Sequence, residues 1–145
     1  MRVSDGGVRL IKNFEGLRLE AYRDSVGVLT IGYGHTGADV VPGLTITEQR
    51  AEALMRADLD RFERGVEASL TRRPSQQQFD AMVSLAYNVG LGAFQGSTLR
   101  RLFNTSEEDD AAIQFGEFIF AGGAISRGLI RRRVREAIHF MGGRA

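Results

Sequence analysis

The hydrophobic pattern changes period at Gly16, and that change constrains the fold more than any other feature of the chain. Before it, Val8, Ile11 and Phe14 recur at helical spacing behind Ser4, a residue suited to cap a helix. Gly16 then supplies the left-handed residue that stops a helix, which puts Glu15 at its C-terminus. From Leu17 to Tyr33 the pattern turns to short β-rich pieces, with a turn at Asp24 to Gly27 and a second piece at Val28, Leu29, Thr30 and Ile31. A small hairpin or three-stranded sheet is expected there.

After the glycine and proline punctuation of Gly37 to Gly43, Thr47 caps a long amphipathic helix carrying Ala51, Leu54, Met55, Leu59, Phe62 and Val66, which ends near Leu70. Ser75 and Gln78 form a capping box that opens QQQFDAMVSLAYNV, and Gly90 ends it. Shorter helices are predicted after Ser97 and after Ser106, and a last one runs from about Arg127 to Met141, before Gly142 and Gly143. The outline is a small β-containing lobe followed by an all-helical lobe, with the Thr47 helix as connector.

With 145 residues, 43% of them hydrophobic, the chain suits one domain and has no room for two ordinary ones. There is no cysteine, so neither disulfides nor a thiolate metal site can hold the fold, and two histidines are too few for a zinc site. A mechanism without metal or cofactor is the expectation. No apolar run reaches the length of a signal peptide or a membrane span, so the chain is expected to be soluble and to fold in the cytoplasm of its host. Net charge is only +1, yet Arg127, Arg131, Arg132, Arg133, Arg135 and Arg144 face one acid, Glu136, after residue 125. Gly128, Leu129, Ile130, Val134, Ala137, Ile138 and Phe140 interleave them, so an amphipathic helix is predicted with those residues inward. The arginines would then be solvated or reach toward the cleft, or as a second reading hold an anionic envelope surface through Arg131, Arg132, Arg133 and Arg135; nucleic acid is not the expected partner.

Two carboxylates on different elements, Glu15 at a helix end and Asp24 in a turn, are what cleavage of a glycosidic bond requires. Unpaired carbonyls at a helix C-terminus favour the protonated form of Glu15, while a polar turn suits ionised Asp24. A Glu before a helix-ending Gly and an Asp in a hairpin turn are also commonplace in ordinary folds, so the pair alone does not decide. The glycines of TIGYGHT are not followed by the Lys-Ser/Thr of a phosphate loop, and Gly32 and Gly34 suit tight strand packing or close approach of a sugar chain. His35 reads as an oriented structural histidine, hydrogen-bonded or ion-paired between the lobes.

The run EGLRLEAYRDSVGVLTIGYGHT resembles the catalytic segment of the phage-type lysozymes, the endolysins of glycoside hydrolase family 24. That family's Glu, Asp and Thr spacing falls on Glu15, Asp24 and Thr30. LAYNVG, AFQGSTLRRL and GLIRRRVRE are similar to its helical segments, in order, so the resemblance covers nearly the whole chain. It implies a lysozyme-like α+β fold in a single catalytic domain, 1–145. The β lobe would span about 16–46 and the helical lobe about 47–145 with the N-terminal helix, the active-site cleft lying between them. It implies a monomeric muramidase that hydrolyses the β-1,4 bond between N-acetylmuramic acid and N-acetylglucosamine in peptidoglycan. Glu15 would be the general acid, Asp24 the carboxylate on the opposite side of the sugar ring, and Thr30 the hydroxyl that positions water or Asp24. Thr36 and Ser97 would touch substrate. Tryptophan is absent, so any role that relatives give one near Phe118 or Phe120 would pass to Phe. With no secretion signal, such an enzyme would reach the wall through the pore of a separate holin-type membrane protein. A lytic transglycosylase, which closes a 1,6-anhydro ring on the same bond, and an inactive wall-binding module are the alternatives.

Overall fold

A computed structural model describes residues 1–142; Gly143 and Arg144, named above, lie outside the described residues. Two compact units divide the chain: Ile11–Arg61, and Met1–Leu10 together with the chain from Phe62 onward. The divisions fall inside helix α1 (Asp5–Glu15) and helix α2 (Glu48–Ala68). Both helices start where the caps predict. Gly7 N donates to Ser4 Oγ (3.1 Å), and Arg50 N donates to Thr47 Oγ1 (3.1 Å).

The Ile11–Arg61 unit holds a three-stranded antiparallel sheet of β1 (Arg18–Arg23), β2 (Leu29–Gly32) and β3 (His35–Thr36), in that order. Thr30 on the central strand lies opposite Tyr22 on one side and Thr36 on the other. Ile31, Val40 and Leu54 form this unit's buried cluster, with Ala21, Leu29, Leu44 and Ile46 packed against it. At Gly32, φ is +66°, and an added Cβ would stand 3.3 Å from the Ala51 Cβ. Glycine there allows α2 to lie directly on the sheet.

In the other unit, α3 (Gln76–Val89) is the axial element, with every residue from Phe79 to Ala86 buried. The Ser75–Gln78 capping box forms as predicted, and Gly90 ends the helix at φ +100°. Around α3 follow α4 (Leu91–Gln95), α5 (Thr98–Asn104), α6 (Glu108–Ile113), a 3-10 turn (Gln114–Glu117) and α7 (Arg127–Phe140). Phe103 and Phe115 both meet Phe140 edge to face, with ring centroids 6.3 and 5.6 Å apart. Asp80 of α3 anchors the N-terminus. It accepts from Ser4 N (3.0 Å), the Ser4 hydroxyl and Gln76 Nε2 (2.8 Å), and meets His139 Nε2 at 3.0 Å. Burial pushes its carboxyl up, but these donors outweigh burial and hold it below the usual carboxylate range.

Three expectations are adjusted here. The helix expected after Ser106 is present, but it starts at Glu108 rather than Glu107, past Ser106 at a left-handed φ of 65°. A hairpin of β4 (Phe120–Ala121) and β5 (Ala124–Ile125) precedes α7, turning through Gly122 and Gly123 at φ 58° and 81°. The third concerns α7, whose predicted apolar face is split: Phe140 is buried, while much of the rest faces outward and two arginines turn inward. Arg132 and Arg133 are 4% and 2% exposed, whereas Val134 and Ile138 are 50% and 39% exposed. The cause is buried Glu136, which takes Arg133 Nε at 2.7 Å and Arg132 Nε at 3.2 Å. Arg132 also donates to Ser84 O (3.2 Å) and Arg133 to Asn88 Oδ1 (2.8 Å). These two arginines are internal counter-ions, so they cannot serve as an envelope-binding surface; Arg131 and Arg135 remain exposed.

Candidate active site

All three residues expected to carry chemistry lie within the Ile11–Arg61 unit. Glu15 is the last residue of α1 and is partly buried. The helix ends there because Gly16 adopts φ +71° and turns its N–H back to Lys12 O at 3.1 Å. One turn earlier, Lys12 is ion-paired to Glu52 and lies 5.3 Å from the centre of the Tyr33 ring. The Lys12 ammonium holds the Glu52 carboxyl below its ordinary range.

Asp24 closes the β1–β2 hairpin and is held by main chain. Its Oδ1 accepts from Val26 N (3.0 Å) and Val28 N (2.8 Å), while its own N–H donates to Val28 O at 3.0 Å. The same Val28 carbonyl accepts the Thr30 hydroxyl at 2.9 Å. The main chain of one residue, Val28, therefore orients both groups: its N–H holds the carboxylate and its C=O the hydroxyl. Because the Thr30 proton is committed to Val28 O, the lone pairs of Thr30 Oγ1 are what a water could donate to. Gly27 makes the turn possible at φ +85°, and Arg23 Nη1 donates to Gly27 O at 2.9 Å.

Thr36 lies directly across the sheet from Thr30, so the two side chains share a face. Tyr22 occupies the same face from the other side, and its ring is covered by the Arg18 guanidinium at 4.2 Å. Ser97 belongs to the other unit, where its hydroxyl donates to Phe94 O (2.6 Å) and accepts from Arg100 N (3.1 Å), capping α5. His35, beside Thr36, bridges two carboxylates, with Nδ1 2.7 Å from Asp58 and Nε2 2.9 Å from Asp39. Burial acts to lower its pKa, but the two aspartates outweigh burial and raise it above 6.5. His35 in turn holds Asp39 below its ordinary range. Among the described residues no group of three His, Asp or Glu side chains is placed to hold a metal ion.

A profile of phage lysozymes matches residues 12–136, a span that contains Glu15, Asp24, Thr30 and Thr36. The chain belongs to the phage lysozyme family. It is 45% identical over 145 residues to the endolysin of Bacillus phage B103, covering 99% of this chain and 55% of that one. The chain thus spans about half the length of that relative. To the endolysin of Salmonella phage P22 it is 41% identical over 143 residues, covering 95% of this chain and 97% of the other. The solved structure of the endolysin from Escherichia coli O157:H7 phage FAHEc1 superposes with a TM-score of 0.91 at 36% identity, over 99% of this chain and 96% of that one. The fold is therefore the α+β, lysozyme-like one.

Sequence reasoning missed the parts that work through the backbone. Val28 carries no polar side chain, so its role had no signature beyond its place four residues after Asp24. Tyr22 was findable, because residues two apart on a strand share a face and Tyr22 precedes Asp24 by two.

Proposed function

We propose that this chain is a muramidase of the endolysin type, hydrolysing the β-1,4 bond between N-acetylmuramic acid and N-acetylglucosamine in peptidoglycan. Glu15 delivers its proton to the glycosidic oxygen as the bond to the anomeric carbon breaks. Asp24, on the opposite side of the sugar ring, stabilises the positive charge that develops there or takes the proton of the attacking water. Thr30 accepts a hydrogen bond from that water or keeps Asp24 in place, and Thr36 and Ser97 contact the sugar chain. The observation that carries the reading is the main chain of Val28, whose N–H and C=O orient Asp24 and Thr30 together in the unit that also holds Glu15. Membership of the phage lysozyme family and the endolysin names of its relatives support it. Access to the wall through a holin-type pore belongs to the same proposal, and lysis of cells by the chain expressed alone would remove that part.

Mass spectrometry of the fragments released from purified peptidoglycan tests the chemistry. The native chain should release fragments with reducing-end N-acetylmuramic acid, and Glu15→Gln should lower the rate by at least about 100-fold. Anhydromuramic ends would move the chain to the transglycosylases, and unchanged release from Glu15→Gln would remove Glu15 from the reaction.

A further inference from the structure

The inward turn of Arg132 and Arg133 leaves part of the apolar set of α7 on an outward surface. At 100° per residue, Ile130, Val134, Ile138 and Met141 share its outward arc, and they are 36%, 50%, 39% and 44% exposed. Beside them an open groove of about 640 Å³ runs between α7 and the segment of α6 and the 3-10 turn. Ile113, 72% exposed, stands on its far wall, and Ile125, 61% exposed, lies just before the helix. Contiguous exposed apolar surface of this kind is uncommon on a chain that acts alone in water.

The charges along the arc say what it suits. Arg127, Arg131 and Arg135 follow one another at four-residue intervals along one flank of the apolar strip, all exposed, and none forms an ion pair among the described residues. The acid of this helix, Glu136, is turned inward on Arg132 and Arg133. On the opposite wall of the groove stands Asp109. We propose that this arc of α7 and its groove form a docking surface for an anionic lipid bilayer, with the aliphatic strip entering the headgroup boundary and the arginine flank meeting the phosphates. A second copy of the chain fits less well, because an antiparallel two-fold pairing of α7 would set arginine flank against arginine flank. The surface is independent of the chemistry assigned to Glu15, so Glu15→Gln should bind vesicles as the parent chain does.

Flotation with vesicles tests this. The chain should float with vesicles of mixed phosphatidylglycerol and phosphatidylcholine, remain behind with phosphatidylcholine alone, and lose the anionic vesicles as salt rises. Arg131→Gln with Arg135→Gln should weaken partition by on the order of tenfold or more, at roughly fivefold per charge. Val134→Ser with Ile138→Ser should weaken it at unchanged charge. All four positions are exposed, so thermal melting and cleavage of soluble wall fragments should match the parent chain. Equal partition onto neutral and anionic vesicles, or none onto anionic ones at low salt, would overturn the proposal. So would a lipid-free dimer that Val134→Ser dissociates, which would make the face a contact between copies.

Discussion

Gly27 has no atom within 4 Å of where a Cβ would stand, yet its φ of +85° lies where side chains are strained. Gly27→Ala therefore tests the Asp24 turn without a steric clash. The strain should shift Val28 N–H away from Asp24, lowering kcat by about tenfold, equivalent to about 1.4 kcal/mol, with little change in KM and a fall of a few degrees in melting temperature. His35 gives a second test at this scale. Its folded pKa is raised above 6.5, so its stabilisation is complete below about pH 6.5 and is lost as pH rises through the folded value. Asp39 is lowered, so its share is lost only as pH falls below the ordinary carboxylate range. Thermal melts of His35→Asn should lie furthest below the parent chain near about pH 5.5, with the gap closing toward about pH 8. Glu15, Asp24 and Thr30 were legible as residues because a helix stop and a hairpin turn are local events. The part played by the Val28 main chain was not, because main-chain hydrogen bonding leaves no mark on residue identity.

At the scale of elements, α7 shows where helical periodicity misleads. Its apolar residues fit a buried stripe by spacing, but Glu136 brings two arginines inward with it, and three paired charges claim the interior side of the helix. Glu136→Gln should remove the buried carboxylate that Arg132 and Arg133 share and destabilise by about 3–5 kcal/mol in urea unfolding. A mutant within about 0.5 kcal/mol of the parent would show that the network contributes little. Gly7 is the reverse of an ordinary helical glycine. Alanine usually stabilises such a position by roughly 0.5–1 kcal/mol. Here an added Cβ would stand 2.5 Å from Val3 Cγ1 and 2.6 Å from Asp80 Cγ, so Gly7→Ala should destabilise by about 1–3 kcal/mol. The β4–β5 hairpin was within reach of the sequence, since Gly122 and Gly123 are the residues a two-residue turn requires, but its strands are too short to show alternation.

For the molecule as a whole, the alternation of helical and β-rich patterns made an α+β chain legible, because caps and glycines punctuate it at almost every boundary. The division inside α1 and α2 was not, since no break in helical pattern marks it. The sheet of the Ile11–Arg61 unit packs on the small cluster of Ile31, Val40 and Leu54, whereas α3 is buried continuously over eight residues, Phe79 to Ala86. Hydrogen exchange should therefore report a lower opening free energy for the amides of β2 than for those of α3, and equal protection would argue against independent opening. The Asp80 anchor also sets a timetable. Ser4 waits for a partner 76 residues downstream, which a ribosome adding about 5–20 residues per second supplies only after roughly 4 to 15 s. Through that interval the nascent chain carries Ser4 without its carboxylate partner, while the contiguous Ile11–Arg61 stretch is completed. Synthesis of this chain thus has a built-in order, in which the first residues made are among the last to find their place.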